Sequence, residues 1–434
     1  MKTICINFNI HKPYILKKYR FFDIGTDNFY FDDFAQETEI QTVADLCYNP
    51  AADLFLSLIN RFNGKFKIAI TASGSVLKQL EKYRPETIEK FQKLAQTGCV
   101  EFVATDFDHS LASLADIDEF IEHVNDHVLL ISRLFDQKPT IFQNTELIYS
   151  DKIAETIYKM KFKGVITEGC GRSFDLRGCG FVYYSAVAPK LKILPRNEFA
   201  GTLMENGLKD NNLFSPLFFV DKLRERDEND DVINIRINSE TLNPATFNNR
   251  DVLIFFKNLT EKLIGSGMYK FSTPSQVIKE YQPVGPFKAT DPVSGMNNDH
   301  DMQPWTGNEL QREAFEKLYS LKSNIHIIDN DVLKSIWRKL QCSDYLYFMS
   351  TDFFSSPESA YKKNPYKSPY DAFINFMNII GDFRRRVNEA VENNETDNMT
   401  DEQLKDIIKF YDGEIALVKN SLAQRKTKSK GRKK

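Results

Sequence analysis

Residues 1–13 read MKTICINFNIHKP, an apolar and β-branched run over residues 3–9 that halts at His11-Lys12-Pro13. Such a run reads as a strand, and proline marks its end because it cannot donate to a central ladder. It lacks a basic segment followed by an unbroken apolar stretch, so it is not read as a signal peptide. A buried strand that opens onto polar residues is the unit from which (β/α) folds are built, with chemistry gathered at the C-terminal strand ends.

Working outward, further strands are expected at residues 66–71, 100–104, 140–143, 164–167 and 232–237, and more weakly at 269–272. Helical periodicity is clearest at 76–96, 116–135 and 152–160. A β-then-α alternation argues for a parallel sheet or barrel. Cap chemistry supports three helix starts, at Ser150-Asp151, Thr273-Pro274-Ser275 and Ser368-Pro369. The stretch PVGPFKATDPVSGMNNDHDMQPWTG, residues 283–307, is rich in Pro, Gly, Asn and Asp. It closes a barrel unit at 1–285 and reads as a connecting loop over 286–307. Helical patterns follow at 308–322, 329–340, 370–393 and 400–423, giving a helical domain over 308–423. The tail 424–434 is basic, and its last ten residues, RKTKSKGRKK, read as a solvated disordered end. There are no internal repeats.

The 434 residues are 42% apolar, enough for a large core. A net charge of -3 excludes a general nucleic-acid or membrane-surface role, and the basic tail from Arg425 to Lys434 is the one stretch that could meet an anion. No apolar run approaches a membrane span. The six cysteines are scattered without a C-x-x-C pair, which points to free thiols in a reducing compartment and a cytoplasmic location.

Polar residues just past the strands are the site candidates: His11, Glu101, Asp106, Asp108, His109, Glu146 and Glu240. Each alone is weak, but acids and histidines recurring at successive strand ends suit carboxylate-based acid and nucleophile chemistry. Metal-dependent deacetylation, which needs an H-[ST]-x-x-x-H pair, fails after His109-Ser110, where Leu-Ala-Ser-Leu-Ala follows. His123 and His127 lie four apart without the Glu of His-Glu-x-x-His and read as solvated helix positions. Neither a metal nor another cofactor is expected.

The joint pattern resembles glycoside hydrolase family 57, the α-amylase and 4-α-glucanotransferase family. Ile10-His11-Lys12-Pro13 is similar to its His-Gln-Pro motif, with Lys12 in place of Gln. Gly98-Cys99-Val100-Glu101 matches a Gly-x-x-Glu motif. Asn144-Thr145-Glu146-Leu147-Ile148-Tyr149-Ser150 resembles the motif that carries the family nucleophile, and Trp305-Thr306-Gly307-Asn308-Glu309 resembles the last motif. Arg20 to Gly25, His109 to Ala112 and Pro369 to Phe373 fit a bacterial α-amylase-like subgroup. The resemblance implies an incomplete (β/α)7 barrel followed by a C-terminal helical domain. It implies a retaining mechanism on an α-glucan such as starch, glycogen or maltodextrin, with Glu146 as nucleophile. His11, Glu101, His109, Glu240 and Trp305 are then substrate-binding positions.

One motif departs from the family. The run Ile237-Asn238-Ser239-Glu240-Thr241 places Asn238 where the family has an aspartate as general acid. An amide cannot give up a proton as a carboxylic acid does. That loss costs about 10²–10⁴-fold in rate, or about 3–5 kcal/mol of barrier. Glu240, two residues on, keeps the same strand face, but the family already has a glutamate there beside its aspartate. Two expectations stand side by side: an α-glucan hydrolase or transglycosylase with impaired hydrolysis, and an inactive paralogue that binds glucan or a partner.

Overall fold

A computed structural model describes residues 1–174, 177–209, 215–226, 230–243, 251–328, 330–351 and 364–397, together with positions 405 and 409. The expected helix over 400–423, those two positions apart, and the basic tail lie outside the described residues.

Among the described residues, ten strands form two sheets. They are β1 (Lys2–Ile10), β2 (Ile68–Ala72), β3 (Val100–Phe102), β4 (Ile141–Gln143), β5 (Gly164–Thr167), β6 (Tyr183–Ser185), β7 (Lys192–Pro195), β8 (Val232–Asn238), β9 (Tyr269–Phe271) and β10 (Pro286–Phe287). The first sheet runs β3-β2-β1-β8, with β9 also on β1, and the second runs β10-β6-β7-β5-β4. Every pairing is parallel except β6 with β7. The sheets meet where Ala104, just past β3, bridges Phe142 of β4. On the other side, the Asn234 amide of β8 donates to the carbonyls of Leu194 and Pro195 on β7, at 3.1 and 3.3 Å.

β1 is the axis of the first sheet. It pairs with β8 along residues 3–9, with β2 along 7–10 and with β9 along 2–4. All of its residues but Lys2 are buried. That explains its apolar, β-branched composition, because a parallel strand covered on both faces has no solvent side to alternate toward.

The 76–96 periodicity resolves into two helices, Gly74–Tyr83 and Pro85–Gln96. Pro85 has no N–H to continue the first helix, and its fixed φ suits the first position of the second. Elements not anticipated from sequence include β6, β7, β10 and the helices Asp33–Val43, Asn49–Arg61, Glu198–Lys209, Pro216–Arg226 and Val252–Gly265. The 286–307 stretch carries β10 and a short helix, Gln303–Thr306. Its backbone is tied to the end of β4, with Tyr149 N donating to Val293 O at 2.9 Å and Gly295 N to Glu146 O at 3.1 Å.

The C-terminal helices include Glu309–Tyr319, Asp331–Leu340, Ser343–Tyr347 and Pro369–Asp397. Trp337, Phe376 and Phe383 join one apolar cluster with Tyr19, Tyr30, Phe142 and Phe287. The long last helix also grips the N-terminal segment. Asn375 accepts from Tyr19 N at 2.7 Å, and buried Asp382 accepts from Gly25 N at 2.7 Å and Tyr30 Oη at 2.5 Å. Among the described residues, no helix is long and apolar enough to cross a membrane.

Candidate active site

The C-terminal ends of the parallel strands open on a cavity of about 1540 Å³ lined by His11, Lys12, Glu146, Arg196, Arg236, Asn238, Glu240 and Asp344, among others. This is where an α/β sheet leaves strand-end side chains free to converge.

Glu146 follows β4 in a 3-10 turn, Thr145–Leu147. Its φ is +44°, that of Leu147 is +61°, and His109, in the loop after β3, stands at +55°. Left-handed backbone at non-glycine residues costs on the order of 1–3 kcal/mol each and persists only where the surroundings impose it. Here Leu147 N donates to Asn144 O at 3.1 Å, and Gly295 clamps the Glu146 carbonyl. The strain therefore aims a buried carboxylate.

That carboxylate is held at both oxygens. Arg236 Nη2 donates to Oε2 at 2.9 Å, and His109 Nε2 lies 3.2 Å from Oε1. Both pairs are almost fully buried, so the ionised form of Glu146 is matched by a cation rather than by water. Arg236 sits on β8 two residues before Asn238, on the same face. Asn238 faces Asn9 across the β1–β8 ladder, where Asn9 Nδ2 lies 3.4 Å from Asn238 Oδ1.

His11 lies just beyond β1. Its ring stacks on His109 with centroids 3.9 Å apart and planes at 18°. Its Nδ1 is 2.8 Å from Ser73 Oγ after β2, and its Nε2 is 3.1 Å from Asp344 Oδ2 in the helical region. Cys342 Sγ is 3.5 Å from the same Nε2. Lys12 is held by Glu39 at 3.1 Å and Glu240 at 3.6 Å. Burial opposes its charge, but the two carboxylates outweigh burial and raise its pKa.

The structure thus brings His11, His109, Glu146, Asn238 and Glu240 to one cavity wall or its immediate backing. Glu101 and Trp305 are not among the cavity-lining residues. Glu101 is turned toward the start of the Pro274–Glu280 helix, accepting from Ser275 N at 2.9 Å, and burial raises its pKa. Trp305 is wholly buried in the apolar cluster under the C-terminal helices.

The solvated reading of His123 and His127 is overturned, for both are fully buried in the Ile117–Phe135 helix. His123 bridges Asp106 at 3.2 Å and Glu119 at 2.9 Å. Burial alone would discharge it, yet Asp106 and Glu119 prevail and push its pKa up to about 9. Asp106 is held at about 2 against its own burial by His123 and Ser110. His127 donates from Nε2 to Ala72 O at 2.8 Å and accepts at Nδ1 from Thr105 N. That fixes one neutral tautomer, and burial lowers its pKa to about 4. Sequence reasoning also passed over Arg236, Ser73, Cys342 and Asp344. Strand alternation from Asn238 pointed to Arg236, but nothing local marks Cys342 or Asp344, which reach the site from more than 300 residues away.

The model of glycosyl hydrolase family 57 matches residues 5–289. A protein of Methanocaldococcus jannaschii named "Putative alpha-amylase" is 27% identical over 437 residues, covering 96% of this chain and 91% of its own. Two solved structures share the fold. The 4-alpha-glucanotransferase from Thermococcus litoralis superposes with a TM-score of 0.62 at 12% identity, covering 89% of this chain, which spans only 60% of that longer protein. The "GH57-type branching enzyme" from Pyrococcus horikoshii gives 0.65 at 11% identity, covering 92% of both chains. With a match across well over half its length, the chain belongs to glycosyl hydrolase family 57.

Proposed function

We propose that the protein acts on an α-glucan by a retaining route with Glu146 as nucleophile, and that hydrolysis is impaired because Asn238 stands at the general-acid position. The observation that carries this is the grip on Glu146. A nucleophilic carboxylate must be ionised and aimed, and Arg236, His109 and the strained turn supply both. The cavity exceeds the roughly 300–1,000 Å³ of a small-molecule pocket. Tyr14, Phe21, Tyr347 and Tyr366 line it and are not fully buried, so they offer ring faces for sugar stacking, a role that Trp305 cannot fill from the core. The relatives named above are an α-amylase by name, a glucanotransferase and a branching enzyme, which favours the same substrate class. We read the two sheets as halves of an incomplete (β/α)7 barrel over residues 1–285, with 286–307 as connection and 308–423 as a helical domain.

The test is incubation with maltoheptaose and chromatography of the products. Asn238→Asp is expected to raise turnover by about 10²–10³-fold, since a positioned acid is worth about 10²–10⁴. Glu146→Gln abolishes it in either background. Brisk turnover by the unmodified protein that Asn238→Asp leaves unchanged would show that another group delivers the proton.

A further inference from the structure

We propose that the Phe21–Phe22 turn is a second carbohydrate platform, outside the cavity, that holds the part of a polymeric α-glucan emerging from the cavity mouth. This rests on the glucan reading and adds to it a preference for polymer over short oligosaccharide. The direction in which a chain leaves is set by which lining residues reach solvent. Most of the exposed ones belong to two stretches, with Lys18, Arg20, Phe21 and Leu46 after β1, and Lys367 and Ile374 around the start of the last helix. A glucan too long for the cavity therefore exits between them and past Phe21. Phe22, the next residue, lies outside the cavity lining and is 87% exposed, and Phe21 is 71% exposed. Single exposed apolar side chains are ordinary, but two adjacent rings held out at a cavity mouth mark a binding surface. Their centroids lie 5.8 Å apart at 80°, edge to face, so each keeps a broad face free to stack on a pyranose ring.

The turn is built to keep the rings there. Phe21–Asp23 is a 3-10 turn closed by Arg20 N donating to Asp23 Oδ2 at 2.7 Å and Ile24 N donating to Phe21 O at 3.3 Å. Tyr19, a buried ring, donates from Oη to Asp23 O at 3.0 Å. The backbone on either side is anchored to Asn375 and Asp382 of the last helix. A platform fixed in advance loses little freedom when it binds. Its flanking charges, Lys18, Arg20 and Asp23, favour a sugar over a protein partner. The core of a protein interface is depleted of charge, whereas a glucan sets hydroxyl groups around each apolar ring face.

The test separates platform from cavity by ligand length. The full-length protein is run by affinity electrophoresis through gels containing glycogen. Its binding of maltotriose, short enough to sit within a cavity of about 1540 Å³, is followed by calorimetry. The unmodified protein is expected to bind both. Phe22→Ala, at a side chain with little packing to lose, weakens glycogen binding by roughly 2–10-fold, as loss of one ring contact does, and leaves maltotriose binding unchanged. Phe22→Tyr, which keeps a ring there, holds glycogen as the parent does. Glycogen binding by Phe22→Ala equal to that of the parent, or a loss shared equally by maltotriose, overturns the platform. A parent protein that binds maltotriose but not glycogen also overturns it, whereas one that binds neither overturns the glucan reading on which it stands.

Discussion

A buried histidine can be charged or neutral, and one helix here holds both kinds four residues apart. His123 lies between Asp106 and Glu119, with Arg338 also near Glu119, and its pKa stands at about 9 against about 6.5 in an unfolded chain. Its contribution is complete below about pH 6.5 and is lost as pH rises through about 9. His127 has the opposite sign, because its pKa of about 4 means that the unfolded chain takes up the proton first as pH falls below about 6.5. Urea unfolding should therefore show stability falling between about pH 6.5 and 9, and His123→Gln should flatten that fall while lowering stability at pH 6.5 by about 3–5 kcal/mol. An unchanged alkaline slope in the variant would show that His123 carries no charge in the folded state. The signal for burial was present in the sequence, since Phe120, Val124, His127 and Ile131 follow one helical stripe. What sequence could not supply was the partner of His123, because Asp106 comes from a loop whose path depends on β3.

Elements were legible to the extent that they were long and punctuated. β1, β2, β5 and β8 stood out as apolar runs, and the Ser150 and Thr273 caps marked their helices. β6 and β7, three and four residues long, carry no periodicity to read. The break at Pro85 was available, but the apolar spacing on either side stays nearly in phase and hid it. Packing between elements adds constraints that no pattern announces. Gly74 opens the helix after β2, and a Cβ there would sit 2.5 Å from the ring of Phe107. Alanine would gain up to about 1 kcal/mol of helix propensity and lose about 1–3 kcal/mol to overpacking. Gly74→Ala is therefore expected to lower the melting temperature, and Phe107→Ala in the same chain should recover part of the loss. A single variant as stable as the parent would mean that the ring moves aside freely.

At the scale of the whole molecule, two chain regions more than 350 residues apart are bound by a few buried polar groups. Asp382 satisfies Gly25 N and Tyr30 Oη, and Asn375 satisfies Tyr19 N while donating to Lys17 O. Hydrogen bonds to a buried carboxylate are worth about 1.5–3 kcal/mol each and leave orphaned donors when it is removed. Asp382→Ala should cost about 3 kcal/mol or more and open residues 17–31 to limited proteolysis, with β1 still protected. Resistance of that segment in the variant would mean that apolar packing alone holds it. The same clasp sets an order of events during synthesis. The strand that nucleates the first sheet leaves the ribosome first, yet β8, its longest partner, follows more than 220 residues later, and Asp382 about 360 residues after Tyr19. At about 5–20 residues per second, the segment after β1 waits roughly 20–70 s for its final anchor. For that interval the longest described strand, buried along all but its first residue in the finished fold, is a nascent-chain hazard, and its safekeeping falls to the chaperones that meet the growing polypeptide.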